Sequence, residues 1–443
     1  MVEFIIYRLF RDCLRGPALQ IDRSRTDLIP EIAGYITRRE GRKFLKLPDN
    51  PDDSLIAATL LRPGQQLSLY IHIPFCRKLC PFCCFNRYLF KEDEAKIYYR
   101  NLRRELDLYI QKGFTFSEFY FGGGTPTVML DELLSFIDYL KSKFHVKAIS
   151  LETTPLELNS ETIAALKKAG VNRLSLGVQS FDDAMLKSMG RTVCSGEETR
   201  QRIALAADQF DTLNIDLIFN FPFQTVDKFK SDIEIFKQLG AGQVTFYPLM
   251  PSPHKKEAME RRFDKVNNHT EKAYYDLILQ EIFDSGFQPS TVWCFSKGKR
   301  MIDEYIVDYA DYIGIGAGSV SLVNGYFYVN SFTLEGYGSR VQTGHLPIAR
   351  MRRLSEKEYL RYYLLTKLFG TKIDKIQFKQ QFGVDIRQKL STELRLLKLA
   401  GATSESQNEI TVTRRGMYTV SVMMREFFAS LNTLREYCIE NKI

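Results

Sequence analysis

Short stretches rich in β-branched and aromatic residues alternate with longer amphipathic stretches between residues 67 and 249. The short stretches predict six β-strands, at residues 67–73, 118–123, 148–153, 173–179, 213–219 and 243–249. The amphipathic stretches predict five helices. One starts near residue 93, two cover 130–144 and 160–170, one ends near residue 209, and one covers 226–240. Strands and helices that alternate in this way form βαβ units with a parallel sheet. Six such strands are expected to curve into a partial or complete barrel, with ligands at the carboxyl ends of the strands.

After about residue 350 the alternation stops. Helices are predicted at 355–370, 374–383, 391–401 and 420–438, with a short strand at 409–413, in an order that resembles a winged helix. Residues 1–60 have helical periodicity at each end and a stretch rich in proline and aspartate before the first strand. The pattern therefore predicts three parts: an N-terminal extension (1–64), a core barrel (65–345) and a mainly helical C-terminal domain (346–443).

Composition excludes several classes of protein. The chain is 26% charged and 44% hydrophobic, as is typical of soluble globular proteins. Its formal charge of +8 suits an anionic small molecule or membrane surface. The basic residues are too dispersed to predict a nucleic-acid partner, which usually requires a clustered basic face. No stretch approaches the roughly 18 uninterrupted apolar residues of a membrane span.

The cysteines indicate a reducing compartment. Four of the eight lie between residues 76 and 84, whereas a disulfide framework would distribute them along the chain. The first residues, MVEFIIYRLFRDCLRG, lack the apolar core and cleavage site of a signal peptide. We therefore expect a cytoplasmic protein.

The spacing Cys76-x3-Cys80-x2-Cys83 is the strongest chemical signal in the chain. Three thiolates on a loop after a strand can hold three irons of a [4Fe–4S] cluster and leave the fourth iron open. The amino and carboxylate groups of S-adenosylmethionine (SAM) can chelate that open iron. A zinc site would need a fourth ligand, and His72 is poorly placed for this on an alternating strand. The remaining alternative is a chance group of buried cysteines.

The other cysteines are interpreted as structural. Cys84 directly follows the third ligand, and adjacent side chains diverge, so we expect it to pack rather than bind the same cluster. Four isolated cysteines receive the same interpretation: Cys13, Cys194, Cys294 and Cys438.

Glycines follow the second predicted strand, in the sequence Gly122-Gly123-Gly124-Thr125-Pro126. Such a run lets backbone approach a ligand closely, although a tight βα turn would explain it equally well. Together, YIHIPFC, GGGTP, RLSLGVQSF and DLIFNFP resemble the radical SAM family of oxygen-independent coproporphyrinogen III oxidases and their relatives, over about residues 65–340. The resemblance implies an α/β fold with a partial (β/α)6 barrel that binds SAM on the cluster. It also implies a second SAM molecule.

The resemblance assigns roles to residues that match the family motifs. Tyr70 and Gly123 would contact the cluster-bound SAM, and Phe82, Gly124 and Thr125 would contact the second. Glu152 would accept from a ribose hydroxyl or the methionine amine; without its neighbours it would be an ordinary strand-end carboxylate. Arg191 suits a fork-like contact with a carboxylate, although alone it would be an ordinary surface arginine. Gln179 and Asp216 are expected to end successive strands and to point into the mouth of the barrel. By the same resemblance, Pro248 and Val320 would make backbone or apolar contacts with SAM.

Two departures bear on the activity. Phe85 stands where the oxidase has an additional cysteine. The haem chaperones have a His-Asn…Tyr-Trp signature, whereas the only tryptophan of this chain, Trp293, lies in the sequence STVWCFSKGK. These differences favour the class C radical SAM methyltransferases, with C8 of menaquinone as the expected target. The alternatives are a coproporphyrinogen oxidase and a non-catalytic haem chaperone.

The predicted partners follow from this interpretation. They are an apolar quinone and a low-potential electron donor of the flavodoxin or ferredoxin type. Apolar residues from Val2 to Cys13 follow helical spacing and are flanked by Arg8, Arg11 and Arg15. Such a basic amphipathic helix either packs on the barrel or contacts an anionic membrane.

Overall fold

Six parallel strands form the centre of the molecule, as predicted. The computed structural model describes residues 28–49, 51–62, 65, 67–262, 268–298, 305–309 and 311–443. The predicted N-terminal amphipathic helix at residues 2–15 lies outside these ranges. The central strands are β1 (Ser68–Ile73), β4 (Glu118–Gly123), β5 (Ala148–Thr153), β6 (Arg173–Gln179), β7 (Thr212–Phe219) and β8 (Gln243–Pro248).

The same sheet continues beyond both ends of this parallel unit. Its order is β14-β13-β12-β11-β1-β4-β5-β6-β7-β8-β10-β9. β11 pairs parallel with β1, whereas β12, β13 and β14 continue antiparallel from β11, and β10 runs antiparallel to β8. Among the described residues the two edge strands do not pair with each other, so the barrel is open. The additional strands are β9 (Gln288–Pro289), β10 (Cys294–Ser296), β11 (Tyr312–Ile315), β12 (Val320–Val323), β13 (Tyr326–Asn330) and β14 (Ile348–Arg353).

Helices cover the outside of the parallel strands because each has one apolar face. In the helix Glu92–Gln111, for example, Tyr99, Leu102 and Leu106 are fully buried. The helices up to the end of the sheet are α1 (Leu28–Phe44), α2 (Glu92–Gln111), α3 (Leu130–Lys143), α4 (Ser160–Lys168), α5 (Asp183–Ser188), α6 (Gly196–Ala206), α7 (Val226–Gln238), α8 (Pro253–Arg262), α9 (Asn268–Phe283), α10 (Tyr305–Asp308) and α11 (Leu334–Gln342).

The structure corrects one predicted helix. The stretch that was expected to be a single helix ending near residue 209 forms α5 and α6. Asp182 and Ser195 each cap the start of a helix, and Gly190 between them has a φ of +74°. Because residues with positive φ do not continue an α-helix, the chain turns at Gly190.

The C-terminal part contains the predicted helices and strand together with two further strands. A three-stranded sheet, ordered β15-β17-β16, packs with short helices. The elements run α12 (Glu356–Phe369), β15 (Lys372–Asp374), α13 (Lys375–Phe382), α14 (Ile386–Leu399), β16 (Thr403–Glu405), β17 (Glu409–Val412) and α15 (Arg414–Glu440). β15 and β16 were not predicted from the sequence. The predicted domain boundary at residue 345 precedes β14, which is still part of the main sheet.

The long helix α15 packs along α1. Two glycines of α1 make the close approach possible: a Cβ atom at Gly34 would lie 2.8 Å from Val422, and one at Gly41 would lie 3.2 Å from Ser430. The other side of α15 reaches the carboxyl ends of the barrel strands. No helix among the described residues is long and apolar enough to cross a membrane.

Candidate active site

The three cysteines of the predicted cluster motif lie on the loop between β1 and α2. Cys76 belongs to a two-residue strand, β2 (Phe75–Cys76), that pairs with β3 (Tyr88–Leu89) at the end of the loop. The Arg87 guanidinium donates to the carbonyls of Cys80 and Cys83, each at 3.0 Å. Arg87 therefore holds the turn that carries the second and third cysteines.

The thiols of this loop are free and suit cluster binding. Burial raises the pKa of the Cys76 thiol, although the hydroxyl of Thr125 and the charge of Arg87 oppose the shift. Within the described ranges, no three acidic, cysteine or histidine side chains converge as they would on a single metal ion. A [4Fe–4S] cluster has a different requirement, because each thiolate binds a different iron. Three thiols around one cavity satisfy that requirement.

Cys84 also lines the cavity around the cysteine loop, but its sulfur contacts two backbone carbonyls. Its sulfur lies 3.7 Å from the Phe82 carbonyl and 3.9 Å from the Met250 carbonyl. Burial raises the pKa of this thiol. These contacts support the prediction that Cys84 packs against the chain.

The glycine turn after β4 is pressed against the start of the cluster loop. The Gly124 N–H donates to the Ile73 carbonyl, and the Thr125 N–H donates to the Phe75 carbonyl, both at 2.8 Å. A Cβ atom at Gly124 would lie 2.7 Å from the Phe75 oxygen, so glycine is required here. The Glu152 carboxylate accepts from the Gly123 N–H at 3.2 Å and from the Tyr120 hydroxyl at 2.9 Å.

His72 links Tyr70 to the cluster loop. Its Nε2 lies 2.9 Å from the Asn86 carbonyl oxygen, which can only accept, so Nε2 carries the proton. Burial lowers the pKa of His72 to about 4, so the ring is neutral near pH 7 and its Nδ1 is an acceptor. The Tyr70 hydroxyl, 3.0 Å from Nδ1, therefore donates to it.

Strands β6 and β7 carry further predicted residues, but Asp216 lies in the middle of β7 and not at its end as expected. Gln179 ends β6 at an irregularity in the β6–β7 pairing and has a φ of +76°, which is uncommon for a residue other than glycine. The Asp216 carboxylate accepts from Ser175 at 3.0 Å and from Asn214 at 2.7 Å. Arg191 donates to the Gly177 carbonyl, and its other terminal nitrogen lies 3.8 Å from the Cys80 sulfur.

All the predicted site residues line one cavity at the carboxyl ends of the barrel strands. Its volume is about 340 Å³, within the range of small-molecule sites. The lining includes Tyr70, Cys76, Cys80, Phe82, Cys83, Gly123, Gly124, Thr125, Glu152, Gln179, Arg191, Asp216, Pro248 and Val320. The structure thus brings together the residues that were predicted to bind the cluster and SAM, and their individual roles stay predictions.

Sequence reasoning missed a second wall of this cavity. It includes Trp293 and five residues of α15: Phe427, Phe428, Leu431, Asn432 and Arg435. The spacing of Phe427, Leu431 and Arg435 on one helical face was a signal, but it does not say what the face contacts. Asn86 and Arg87, beside the cysteine motif, were also not assigned.

Cations outnumber carboxylates in the lining. Lys78, Arg87, Arg191 and Arg435 contribute positive charge, whereas Glu152 and Asp216 are the acidic side chains among the described lining residues. Both carboxylates already accept hydrogen bonds from the protein. The cavity therefore combines thiols, an apolar wall and a positive charge that suits an anionic ligand.

Comparison with known proteins supports the same assignment. The sequence model of the radical SAM superfamily matches residues 70–236. An oxygen-independent coproporphyrinogen III oxidase of Helicobacter pylori is 29% identical, over 84% of this chain and 88% of the relative. The haem chaperone HemW of Buchnera aphidicola is 31% identical, over 57% of this chain and 69% of the relative.

A solved structure extends the likeness to the fold. The coproporphyrinogen III oxidase HemN of Escherichia coli, a radical SAM enzyme, superposes with a TM-score of 0.74 at 23% identity, over 86% of this chain and 95% of that chain. This match confirms the α/β barrel and the C-terminal helical domain.

The expected methyltransferase activity is wrong. Curated relatives that match 82–84% of the chain are named coproporphyrinogen III oxidases and HemW haem chaperones. The prediction of menaquinone as the substrate falls with it. The error arose because the barrel and its SAM-binding elements are common to these groups, so the choice between them rested on isolated positions such as Phe85. The chain belongs to the radical SAM superfamily, in the family of the oxygen-independent coproporphyrinogen III oxidases and HemW, whose members use a [4Fe–4S] cluster and SAM.

Proposed function

We propose that this protein is a radical SAM enzyme that oxidatively decarboxylates propionate side chains of a tetrapyrrole, with coproporphyrinogen III as the leading substrate. One observation carries the proposal: a single cavity joins the cysteine loop to an aromatic wall and to four cationic side chains. A tetrapyrrole with propionates needs both surfaces, because its ring is apolar and its carboxylates are charged.

The residues on the side of the cavity formed by the cysteine loop would hold the cofactors. Cys76, Cys80 and Cys83 would bind the cluster, which supplies, when bound, the electron that cleaves SAM to methionine and a 5′-deoxyadenosyl radical. The predicted contacts of the first SAM are Tyr70, Gly123 and Glu152. Glu152 is held by Tyr120 and by the Gly123 amide, so its carboxylate is fixed before a ligand arrives.

A second SAM remains part of the proposal. Phe82, Gly124 and Thr125 line the same cavity as the first set of contacts. The protein also needs a reductant, for which we propose a low-potential donor of the flavodoxin or ferredoxin type. A cytoplasmic location is consistent with the free cysteines and stays a prediction.

Haem binding is the second candidate. Phe85 occupies the position of the oxidase's additional cysteine, and its ring is 43% exposed beside the cluster loop. The relative with 31% identity is a haem chaperone. Haem could bind to the same apolar wall and cationic side chains, and such binding would not require a catalytic reaction.

Product analysis tests these candidates. The anaerobically reconstituted protein is incubated with SAM, a reductant and coproporphyrinogen III, and porphyrins are analysed by chromatography and mass spectrometry. We expect loss of carboxyl groups from the substrate together with 5′-deoxyadenosine, and neither product with Cys80→Ala. An unchanged substrate would contradict the oxidase proposal. If haem then binds with a shifted absorption band and without turnover, the second candidate replaces the first.

A further inference from the structure

We infer that Arg435, on the C-terminal helix α15, binds a carboxylate of the substrate and that Asn432 positions it. The inference rests on the proposed function, because it assigns a residue to the recognition of a propionate-bearing tetrapyrrole. It also gives the C-terminal domain a direct part in the site. Neither residue belongs to the cysteine motif or to the predicted SAM contacts.

The guanidinium of Arg435 is held in a defined place at the cavity wall. Its NH1 donates to the Asn432 side-chain oxygen at 2.9 Å, and the Asn432 amide donates to the Met250 carbonyl at 2.7 Å. The guanidinium carbon lies 4.8 Å from the centre of the Phe85 ring. Arg435 is thus fixed beside the cluster loop before a ligand binds.

Arg435 is also the arginine of the cavity best suited to an anion from outside the chain. Arg87 donates to two carbonyls of the cysteine turn, and Arg191 donates to the Gly177 carbonyl. The side-chain partner of Arg435 is instead the neutral Asn432, and no ion pair joins Arg435 to an acidic side chain of the described ranges. A half-buried guanidinium without a counter-ion gains most from a ligand carboxylate, which it can bind through two parallel hydrogen bonds.

The wall around Arg435 fits an apolar ring. Phe427, Phe428 and Leu431 precede Arg435 on the same helix, and Trp293 and Tyr247 face them from the barrel. The two rings of Tyr247 and Trp293 lie edge to face, 5.9 Å apart. A flat macrocycle against these side chains could direct one carboxylate toward Arg435. This arrangement distinguishes the ligand class from a small dicarboxylate, which would leave the aromatic wall uncovered.

Trp293 provides a direct measurement. It is the only tryptophan of the chain and lines the cavity, so a porphyrin that enters should quench its fluorescence. The probes are coproporphyrin III and its tetramethyl ester, which has the same ring with neutral side chains. The proteins are wild type, Arg435→Gln, Arg435→Lys and Arg415→Ala, a control at an exposed position in the first turn of the same helix. All are reconstituted anaerobically and compared by thermal unfolding.

We expect Arg435→Gln to weaken coproporphyrin III binding about ten- to a hundredfold and to leave the ester unaffected, because a charge-assisted contact is lost. Arg435→Lys should recover part of the affinity, since the charge remains without the planar fork, and Arg415→Ala should match wild type. Equal affinities of wild type and Arg435→Gln for the acid would overturn the inference. Equal binding of acid and ester by wild type would also overturn it and leave the proposed function standing. Failure of wild type to bind either porphyrin would instead contradict the proposed function.

Discussion

At the scale of single residues, the four cysteines between residues 76 and 84 have different surroundings. Cys80 and Cys83 sit on a turn whose carbonyls are held by Arg87, and Cys76 is buried beside Thr125. Cys84 instead faces the carbonyls of Phe82 and Met250. These contacts support the predicted division between cluster ligands and a packing cysteine, which stays a prediction.

Removal of one motif cysteine should abolish the cluster. Cys80→Ala leaves two thiolates for a cluster that needs three protein ligands. Iron and acid-labile sulfide, measured after anaerobic reconstitution, should fall close to background. Cys84→Ala is the matched control and should retain wild-type iron. Full iron content in Cys80→Ala would show that the ligands are assigned incorrectly.

Gly123 should be less tolerant of a side chain than Gly344, although both have positive φ. A Cβ atom there would lie 2.5 Å from the ring of His72, which two hydrogen bonds hold in place. Gly344 has a φ of +81°, but a Cβ atom placed on it would have no neighbouring atom within 4 Å. We expect Gly344→Ala to lose about 1–2 kcal/mol of unfolding free energy, and Gly123→Ala to lose about 1–3 kcal/mol more. Urea unfolding measures both, and equal losses would refute the role of His72.

At the scale of elements, the bounds of the central strands could be predicted because hydrophobic periodicity is local, whereas the elements between residues 250 and 353 were not predicted. β4, β5 and β6 begin and end at their predicted residues. The division of α5 from α6 was missed although its signals were present: Ser195 and Glu198 form a capping box after Gly190. β15 and β16 have three residues each, too few for a period to be visible. The three-stranded sheet of the C-terminal part could therefore be recognised only in the structure.

The helix α15 is tied to two other helices by buried charges. Arg425 is paired with Glu271 of α9 and with Glu426, and these side chains are 11%, 1% and 5% exposed. Glu426 is also paired with Arg38 of α1. A buried network of this kind fixes the position of α15, and with it the wall of the cavity.

Arg425→Ala should lower the free energy of unfolding by about 3–5 kcal/mol, because it leaves the buried carboxylate of Glu271 without its main partner. Arg361 is the control, since it also pairs with two glutamates, Glu40 and Glu393, but at the surface. Arg361→Ala should lose only about 0–1 kcal/mol. Chemical unfolding at neutral pH compares the two variants. Similar losses would mean that burial does not decide the strength of the Arg425 network.

At the scale of the whole molecule, the barrel could be predicted but the complete site could not. The six strands place their ends at one edge of the sheet, so the motif residues had to meet there. Arg435 reaches the same place from a helix that follows the barrel, and only the packing of α15 on the sheet brings it to Phe85. No local sequence pattern predicts the contact between Arg435 and Phe85.

A buried carboxylate connects distant parts of the fold. Glu105 of α2 accepts from the Gly316 amide, Asn330 of β13 and Tyr337 of α11. Burial raises its pKa from 4.5 to about 7, although these hydrogen bonds oppose the shift. Between these values the unfolded chain releases the proton while the folded chain keeps it. The stabilising contribution is therefore complete below pH 4.5 and is lost as the pH rises through 7.

Glu105→Gln should change the pH dependence of stability. Because glutamine does not titrate, the unfolding free energy of the variant should fall less steeply between pH 4.5 and 7 than that of wild type. Urea unfolding across this range gives the difference directly, and the other titrating groups cancel in the comparison. Two parallel curves would show that Glu105 does not titrate in this window.

The place of α15 in the chain also has a consequence for biosynthesis. This helix is the last described element, and it supplies one wall of the cavity. A chain that leaves the ribosome in order can form its barrel and cysteine loop before this helix has been synthesised. During that interval the three thiols are accessible from the side that α15 later covers. The cysteine loop of the nascent protein is therefore less enclosed than that of the folded protein, and the docking of α15 narrows the access to it.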